Sequence, residues 1–421
     1  MKVTLISPPS PFLINQKAFP PLGILYLAAI LERHNIEVEV VDLADKEKEL
    51  IETLELYAGA DLYGISATTP QYPQALIIKK ILCEQNKKNL IAVGGAHPSS
   101  VPNNCIKDGF DFVVLGEGEN ALLQIVNNLK FKKPQYGEIR AQAIQDLDSI
   151  PIPARHLIDI NSYAYDIDGG RGTTIITSRG CPYACAFCSK DGWQTGTRFH
   201  GAKYVISELE HIITTYGIKH FLFLDDTLTL HKSRLLELCR LMVPLNIKWR
   251  CYARSSTSKE KLIAMKEAGC VEIGVGVESG SQKILDSVNK KETVDQNTKF
   301  VELCKEIGII ANVFIMIGLP GETYKTVEET RQWMEHVRPQ KFGFNIFMPY
   351  AGTPIFNNPE KYDIRIYEVP DEKSWVKGRQ GEYQSFVSTN ELSREEIVRL
   401  FEESFNYYTE LTNWQPGVGK K

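Results

Sequence analysis

Residues 174–188 read TIITSRGCPYACAFC, a short apolar strand that leads directly into three closely spaced cysteines. The spacing of Cys181, Cys185 and Cys188 lets three thiolates face one compact, soft metal centre. A structural zinc site normally takes four ligands, often as two separated pairs, and only His200 is near enough in sequence to complete one. Three protein ligands leave one metal position open, which is typical of a reactive centre rather than a structural one.

The same stretch opens a series of alternating strand and helix segments. Apolar runs predict six strands, at Thr174–Thr177, Phe221–Leu224, Lys248–Ala253, Val271–Val277, Ile310–Ile317 and Lys341–Phe347. Amphipathic segments between them predict helices, and Ser393–Thr412 predicts a further helix near the end of the chain. Six strand–helix units are too few for a closed eight-stranded barrel, so the pattern predicts a partial (β/α)6 TIM-type barrel with a C-terminal helical segment. Its ligands should bind at the carboxyl ends of the strands.

The first 130 residues contain a separate series of strands and helices. Strands are predicted at Val3–Ile6, Val38–Val41, Leu62–Ser66, Leu90–Val93 and Phe112–Leu115. Strands that alternate with helices at this spacing predict an α/β fold, a flavodoxin-like (Rossmann-like) doubly wound parallel sheet. Each strand ends in small or polar residues, and these loops should gather on the edge where such sheets bind ligands.

The two series divide the chain into four predicted segments. Residues 1–135 form the first domain and residues 171–360 the barrel domain. Between them, residues 136–170 read as a linker, because the two close prolines at 151 and 153 disfavour helix and suit an extended crossing. Residues 361–421 are predicted to form a partly helical C-terminal extension.

The composition narrows the class of protein. Among the 421 residues, 48 Lys and Arg oppose 52 Asp and Glu, for a net charge of −4, so there is no bulk electrostatic reason to bind nucleic acid. No apolar run approaches the roughly 20 residues that span a bilayer, so membrane insertion is not expected. The nine cysteines lack the paired spacings of a disulfide framework, which predicts a reducing, cytoplasmic location.

The cysteine motif CxxxCxxC, with Phe187 just before the third cysteine, resembles the signature of the radical S-adenosylmethionine (radical SAM) superfamily. This resemblance implies that the three cysteines hold a [4Fe–4S] cluster whose fourth iron is free to meet S-adenosylmethionine. Further motifs follow in the family's order between residues 174 and 353. The S-adenosylmethionine-binding residues that the resemblance implies are Phe187, Asp225, Asp226, Arg254, Glu278, Ser279, Gly318 and Pro320.

The chemistry of the ligand agrees with these residue types. A cationic sulfonium that carries an amine and a carboxylate needs both acceptors and a donor in one pocket. The resemblance places Asp225 and Asp226 at the amine, Arg254 at the carboxylate, Glu278 at the ribose and the turn that begins at Gly318 beside the adenine. Taken singly, each aspartate could instead cap a helix and the arginine could form a surface pair.

The first domain resembles the cobalamin-binding domain that precedes the barrel in many radical SAM enzymes. The match runs through PPLGILYLAA at 20–29, VGGAHP at 93–98 and GEGE at 116–119. The cobalamin-binding residues that it implies are Ser10, Thr68, Thr69, Gln71, Gly94, Gly95, Glu117 and Gly118. The histidine motif DxHxxG is absent, so the loop Thr68–Tyr72 is the candidate to face cobalt from beneath. His97 is interpreted either as a solvent-facing loop residue or as a contact to the cofactor's tail. The alternative for the whole domain is a sheet that binds no ligand and only packs on the barrel.

Together the two resemblances imply a radical SAM enzyme of the class B methyltransferase type. It would methylate an unactivated carbon of a small-molecule or natural-product substrate through a 5′-deoxyadenosyl radical, with electrons from an external donor such as flavodoxin or ferredoxin. Radical rearrangement, cyclisation or oxidation without methyl transfer is the second interpretation. A transfer-RNA methylthiotransferase and a non-catalytic iron–sulfur or cobalamin sensor rank lower. No residue is singled out as a catalytic acid or base, and Trp193 and Trp375 are among the aromatics that could line a substrate pocket.

Overall fold

The computed structural model of the protein describes residues 1–189, 196–367 and 383–413. Trp193 and Trp375 lie outside these residues. The described chain divides into two compact units. Unit 1 contains residues 1–165 and 196–200, and unit 2 contains residues 166–189, 201–367 and 383–413. Within the described parts of both units, no helix combines the length and apolarity that a membrane crossing requires.

Unit 1 is built on a sheet of six parallel strands in the order β2-β1-β3-β4-β5-β6. The strands are β1 (Lys2–Ser7), β2 (Glu37–Asp42), β3 (Leu62–Ser66), β4 (Ile91–Gly94), β5 (Phe112–Val114) and β6 (Gly137–Ile139). The helices are α1 (Leu22–Arg33), α2 (Leu50–Glu55), α3 (Tyr72–Gln85), α4 (Ala96–Ser100), α5 (Pro102–Lys107) and α6 (Gly118–Lys130). The predicted flavodoxin-like sheet is confirmed, with its switch point between β1 and β3.

Helices cover both faces of this sheet, because its strands carry apolar side chains on both sides. On one face, Ile78 and Leu82 of α3 pack in one buried cluster with Ile65 and Val93 of the sheet. Helices α1 and α6 contact each other and the strands as well. All five strands that the apolar runs predict are present, within a residue or two at each end.

The segment after β6 stays packed on unit 1. It forms three single-turn helices, at Leu147–Ser149, Arg155–Leu157 and Ile160–Ser162. The Ala154 N–H donates to the Leu25 carbonyl at 3.0 Å, and the Ala164 N–H donates to the Lys17 carbonyl at 3.0 Å. Part of the predicted linker is therefore ordered against the first domain, and its beginning supplies the sixth strand.

Unit 2 is built on a seven-stranded sheet in the order β15-β14-β13-β12-β11-β8-β7. The remaining strands of the chain are β7 (Tyr165–Ile167), β8 (Gly170–Ile175), β9 (Ser178–Arg179), β10 (Arg198–Phe199), β11 (His220–Phe223), β12 (Lys248–Ala253), β13 (Cys270–Glu278), β14 (Ile310–Ile317), β15 (Lys341–Ile346), β16 (Ile364–Ile366) and β17 (Val387–Thr389). Strands β8 and β11 to β15 run parallel in consecutive order, as a partial barrel requires. The predicted partial (β/α)6 barrel is therefore confirmed.

Helices alternate with the barrel strands, and a last helix covers the end of the sheet. They are α7 (Ala202–Tyr216), α8 (Lys232–Met242), α9 (Lys259–Glu267), α10 (Gln282–Ser287), α11 (Val294–Ile307), α12 (Tyr324–Val337), α13 (Pro354–Asn357) and α14 (Arg394–Thr412). Phe401 of α14 stacks on Phe344 of β15 with ring centroids 4.9 Å apart. Tyr408 of the same helix meets Phe342 edge-on at 5.8 Å. The C-terminal helix is thus part of the core of unit 2.

Candidate functional site

The three cysteines follow the carboxyl end of β8. Gly180, with φ 88°, turns the chain into the cysteine loop, which we define as residues 181–188. Cys181 is half-buried, Cys185 is buried and Cys188 is exposed, and none of the three forms a disulfide bond with another described residue. In the described residues, no three His, Cys, Asp or Glu side chains are grouped to hold a metal ion. A donor set of three thiolates on one loop fits an iron–sulfur cluster, in which the cysteines bind different irons.

Asp225 fixes the point at which the cysteine loop begins. It lies just beyond β11 and is buried, and its Oδ1 accepts hydrogen bonds from Thr177 N at 3.2 Å, from Thr177 Oγ1 at 2.9 Å and from the Ser178 hydroxyl. Burial raises the pKa of this carboxyl, although its hydrogen bonds to Ser178 and Thr177 work in the opposite direction. Its Oδ2 has no partner among the described residues, and the neighbouring Asp226 is exposed. The structure thus separates the predicted pair into an anchoring aspartate and an accessible one.

Arg254 contacts the cysteine loop instead of standing free at the end of β12. Its Nη1 lies 3.8 Å from Cys185 Sγ, and its guanidinium carbon lies 3.8 Å from the centre of the Tyr183 ring. Its Nη2 donates to the Lys290 carbonyl and lies 3.1 Å from Glu292 Oε2. Only its Nε lacks a partner among the described residues.

Glu278 ends β13 with a positive φ of 65° and forms a buried ion pair. Lys290 Nζ lies 2.8 Å from Glu278 Oε1 and 3.7 Å from Glu292 Oε2. Burial works to lower the pKa of Lys290, but the carboxylates of Glu278 and Glu292 outweigh it and hold that pKa above its ordinary value. Two cations and two carboxylates therefore form one buried network, Arg254–Glu292–Lys290–Glu278. Lys290 and Glu292 are not identified by the sequence analysis. They lie in a charged stretch between α10 and α11, and such a stretch gives no indication that its side chains are buried.

The other predicted S-adenosylmethionine residues shape the rim of the barrel. The Ser279 hydroxyl lies 3.0 Å from Thr330 Oγ1, which also accepts the Gly280 N–H at 2.9 Å and so ties the end of β13 to α12. After β14, Gly318 has φ 94° and donates its N–H to the Glu322 carboxyl. The Pro320 carbonyl accepts the Ser287 hydroxyl at 2.8 Å, and Phe187 is half-buried in the cysteine loop.

Glu322 is a buried acid whose pKa lies well above its ordinary value. It is completely buried, and desolvation raises its pKa to about 8 despite hydrogen bonds from the Gly318 and Leu319 backbone. Its Oε1 has no partner among the described residues. A buried acid that holds the turn at Gly318 is a feature that the sequence motif alone does not reveal.

Unit 1 has a cavity of about 230 Å³ at the carboxyl ends of β1, β2 and β3. Its lining includes Ser7, Ser10, Asp42, Ser66, Gln71 and Tyr163. The Gln71 amide donates to Ser10 Oγ at 2.9 Å and to the Pro8 carbonyl at 3.2 Å, which joins the loops after β1 and β3. Thr68 Oγ1 donates to Gln71 Oε1 at 2.9 Å, and Thr69 begins the single turn between them. The cavity lies at the switch point, where such sheets bind ligands.

The remaining predicted cobalamin residues have structural contacts. Gly95 has φ 106°, and a Cβ there would lie 2.8 Å from the Ala67 carbonyl, while a Cβ on Gly118 would press on Leu27 at 3.1 Å. A Cβ on Gly94 would touch Val114 at 3.4 Å. Both carboxylate oxygens of Glu117 bind Arg198, and the Ile144 N–H donates to Oε2 at 3.0 Å.

His97 does not face solvent, so that interpretation is wrong. Its ring is buried and stacks on Tyr72 with centroids 3.9 Å apart. Burial lowers its pKa to about 4, and neither ring nitrogen has a partner among the described residues.

Comparison with known proteins agrees with both halves of this geometry. Residues 175–334 match the family model of the radical SAM superfamily, and residues 16–126 match that of the B12 binding domain. An uncharacterised methyltransferase of Pyrococcus horikoshii is 32% identical over 382 residues, which cover 85% of this chain and 82% of that protein. The chain belongs to the cobalamin-dependent radical SAM enzymes. The cofactors of this enzyme family are a [4Fe–4S] cluster, S-adenosylmethionine and cobalamin, as the sequence predicts.

Two further comparisons describe the range of the family. This chain is 27% identical over 385 residues to the anaerobic magnesium-protoporphyrin IX monomethyl ester cyclase of Rubrivivax gelatinosus, and the match covers 83% of this chain and 68% of that protein. The structure of the cobalamin-dependent S-adenosylmethionine radical enzyme OxsB, with aqua-cobalamin and S-adenosylmethionine bound, matches with a TM-score of 0.76 at 18% identity. That match covers 97% of this chain and 66% of OxsB, and it shows a common fold.

Proposed function

We propose that this radical SAM enzyme transfers a methyl group to an unactivated carbon of a small-molecule or natural-product substrate. The observation that carries the proposal is the presence of a B12-binding domain and a radical SAM domain in one chain, supported by the relative named as a methyltransferase. When bound, the three cofactors supply an electron, a 5′-deoxyadenosyl radical and a carrier for the methyl group. The proposal includes an external electron donor such as flavodoxin or ferredoxin and a cytoplasmic location.

The proposal assigns the cluster and S-adenosylmethionine to the domain at 171–360 and cobalamin to the domain at 1–135. The thiolates of the cysteine loop hold the cluster. The unpartnered Oδ2 of Asp225 and the exposed carboxylate of Asp226 are the acceptors for the amine of the sulfonium ligand. The cavity beside Ser10 and Gln71 receives cobalamin, and these two side chains hold its walls in place.

Product analysis of the anaerobically reconstituted enzyme tests this function. The enzyme is supplied with cobalamin, S-adenosylmethionine and a strong reductant, and 5′-deoxyadenosine and S-adenosylhomocysteine are quantified. We expect both products from the parent enzyme and no 5′-deoxyadenosine from Cys185→Ala. Gln71→Ala should retain the cluster but bind cobalamin more weakly, as measured by the cofactor left after gel filtration. A cluster-loaded parent enzyme that makes neither product contradicts the proposal.

Radical cyclisation or oxidation without methyl transfer is the second candidate function. It is favoured by one specific observation, the likeness to a relative that is named as a cyclase. The same assay separates the two candidates, because 5′-deoxyadenosine without S-adenosylhomocysteine indicates radical chemistry without methyl transfer.

A further inference from the structure

A short segment between α10 and α11 holds the cysteine loop from outside the motif. We define the clamp as residues Val288–Glu292. The Val288 carbonyl accepts the Ala186 N–H at 2.9 Å, and the Asn289 side-chain amide donates to the Ala184 carbonyl at 2.7 Å. These two bonds lie on either side of Cys185, so the clamp determines where that thiol lies.

Arg254 makes a third connection between the clamp and Cys185. Its guanidinium lies 3.8 Å from Cys185 Sγ through Nη1, while Nη2 binds the Lys290 carbonyl and the Glu292 carboxylate. Its other contact is the Tyr183 ring, within the cysteine loop itself. One buried cation therefore touches the loop at two residues and the clamp at two others.

The clamp itself is held in one conformation. Asn289 and Lys291 both have left-handed backbones, with φ 55° and 56°. Glu292 Oε1 accepts the Ser255 hydroxyl at 2.8 Å and the Ser256 N–H at 3.2 Å, which joins the clamp to the loop after β12. The clamp is therefore already tied to the barrel through side chains that the cysteine motif does not include.

We propose that the clamp and Arg254 form the second half of the cluster site. Asn289 is a positioning residue that orders the loop around Cys185, and Arg254 places a positive charge and an N–H donor beside the sulfur of that ligand. Positive charge and hydrogen bonds at ligand sulfurs favour the reduced cluster, so Arg254 raises its reduction potential. This assigns Arg254 to the cluster rather than to the methionine carboxylate, and it rests on the proposed function only in requiring that the cysteines hold a cluster.

Three variants and one control test the proposal on the reconstituted full-length enzyme. Asn289→Asp keeps the size of the side chain and a residue type that tolerates a left-handed backbone, but it replaces the amide donor by an acceptor that repels the Ala184 carbonyl. Arg254→Met removes the positive charge, and Arg254→Lys keeps the charge but lacks the planar guanidinium group. Lys291→Met removes an exposed cation from the same clamp and is the matched control.

Two measurements are made, both without S-adenosylmethionine or substrate. The first is the rate at which a chelator removes iron, and the second is the midpoint potential of the cluster from a titration followed by electron paramagnetic resonance. Asn289→Asp should lose iron about tenfold faster than the parent, because partners of metal ligands typically contribute that much. Arg254→Met should have a more negative midpoint potential, and Arg254→Lys should recover part of the difference. The control should match the parent in both measurements.

The proposal is overturned if Asn289→Asp releases iron at the parent rate and Arg254→Met keeps the parent potential. If Arg254→Met does not fold, the proposal is tested by the rate of iron release from Asn289→Asp and by the midpoint potential of the cluster in Arg254→Lys. If Lys291→Met changes as much as the others, a specific role for Asn289 and Arg254 is refuted. A parent enzyme that takes up no cluster refutes the proposed function instead, so the two failures are distinguishable.

Discussion

Replacing Glu322 with glutamine should remove a large part of the pH dependence of the stability of unit 2. Burial raises the pKa of this carboxyl from 4.5 to about 8, so the folded state holds the proton more tightly than the unfolded state does. The stabilisation from this proton is fully present below the unfolded pKa and is lost as the pH rises through the folded one. Between about pH 5.5 and about pH 8, the free energy of unfolding should fall by about 3 kcal/mol. Glutamine keeps an acceptor for the Gly318 N–H but does not titrate.

Urea unfolding of the full chain at a series of pH values measures this effect. Tryptophan fluorescence is a suitable signal, because Trp249 and Trp333 are buried in unit 2. Glu302→Gln, at an exposed position of α11, is the control and should retain the parent profile. If the profiles of the parent and Glu322→Gln are parallel, then Glu322 is not the titrating group and the reasoning from its burial is refuted.

Three further predictions concern groups that hold the strand ends. Asp225→Ala leaves Thr177 and Ser178 without their acceptor, which should lower the free energy of unfolding by about 3 kcal/mol and reduce the iron retained per chain. Glu117→Gln breaks a buried ion pair with Arg198 and should lower the free energy of unfolding by about 3–5 kcal/mol. The loss is measured as faster hydrogen exchange in residues 137–147. Burial lowers the pKa of His97 to about 4, so the parent should lose stability as the pH falls from the unfolded pKa near 6.5 towards 4, and urea unfolding of His97→Phe should show no such loss.

Each of these has a contrary outcome. Unchanged iron content in Asp225→Ala would show that Thr177 and Ser178 hold the cysteine loop without it. Unchanged exchange in Glu117→Gln would show that Arg198 finds another partner at no cost. An acid-induced loss of stability that is the same in His97→Phe and in the parent would place the titrating group elsewhere.

Most of the fold is predictable from the sequence because helices cover both faces of a parallel sheet. The strands of such a sheet are covered on both faces and therefore read as nearly continuous apolar runs, such as Ile310–Ile317, which contains one polar residue, Asn312, and matches β14 at both ends. Helix α11 carries sequence signals at both ends, since Thr293 forms a capping box with Gln296 at its start and Gly308 follows its end. Strand β6 is not predictable in this way, because Gly-Glu-Ile is too short and too polar to form an apolar run.

The site is predictable only where residue type and spacing carry the chemistry. Three cysteines on one loop do so, and a sequence motif identifies them without knowledge of the fold. Asp225 is buried and Asp226 is exposed because their side chains point in different directions. Two adjacent identical residues in a sequence do not indicate which of them is buried. Asn289 lies more than 100 residues from the cysteine loop in the sequence, so only tertiary packing brings its side chain to that loop.

In both units, a side chain at the end of one strand holds the loop that follows a neighbouring strand. In unit 1, the Gln71 amide after β3 holds Pro8 and Ser10 after β1. In unit 2, the Asp225 carboxylate after β11 holds Thr177 and the next residue after β8. Loops that are ordered before a ligand arrives do not lose conformational freedom when it binds, so more of the contact energy remains for affinity. Because each holding side chain comes from a different strand, the order of these loops depends on the assembled sheet, and a local sequence motif cannot produce it alone.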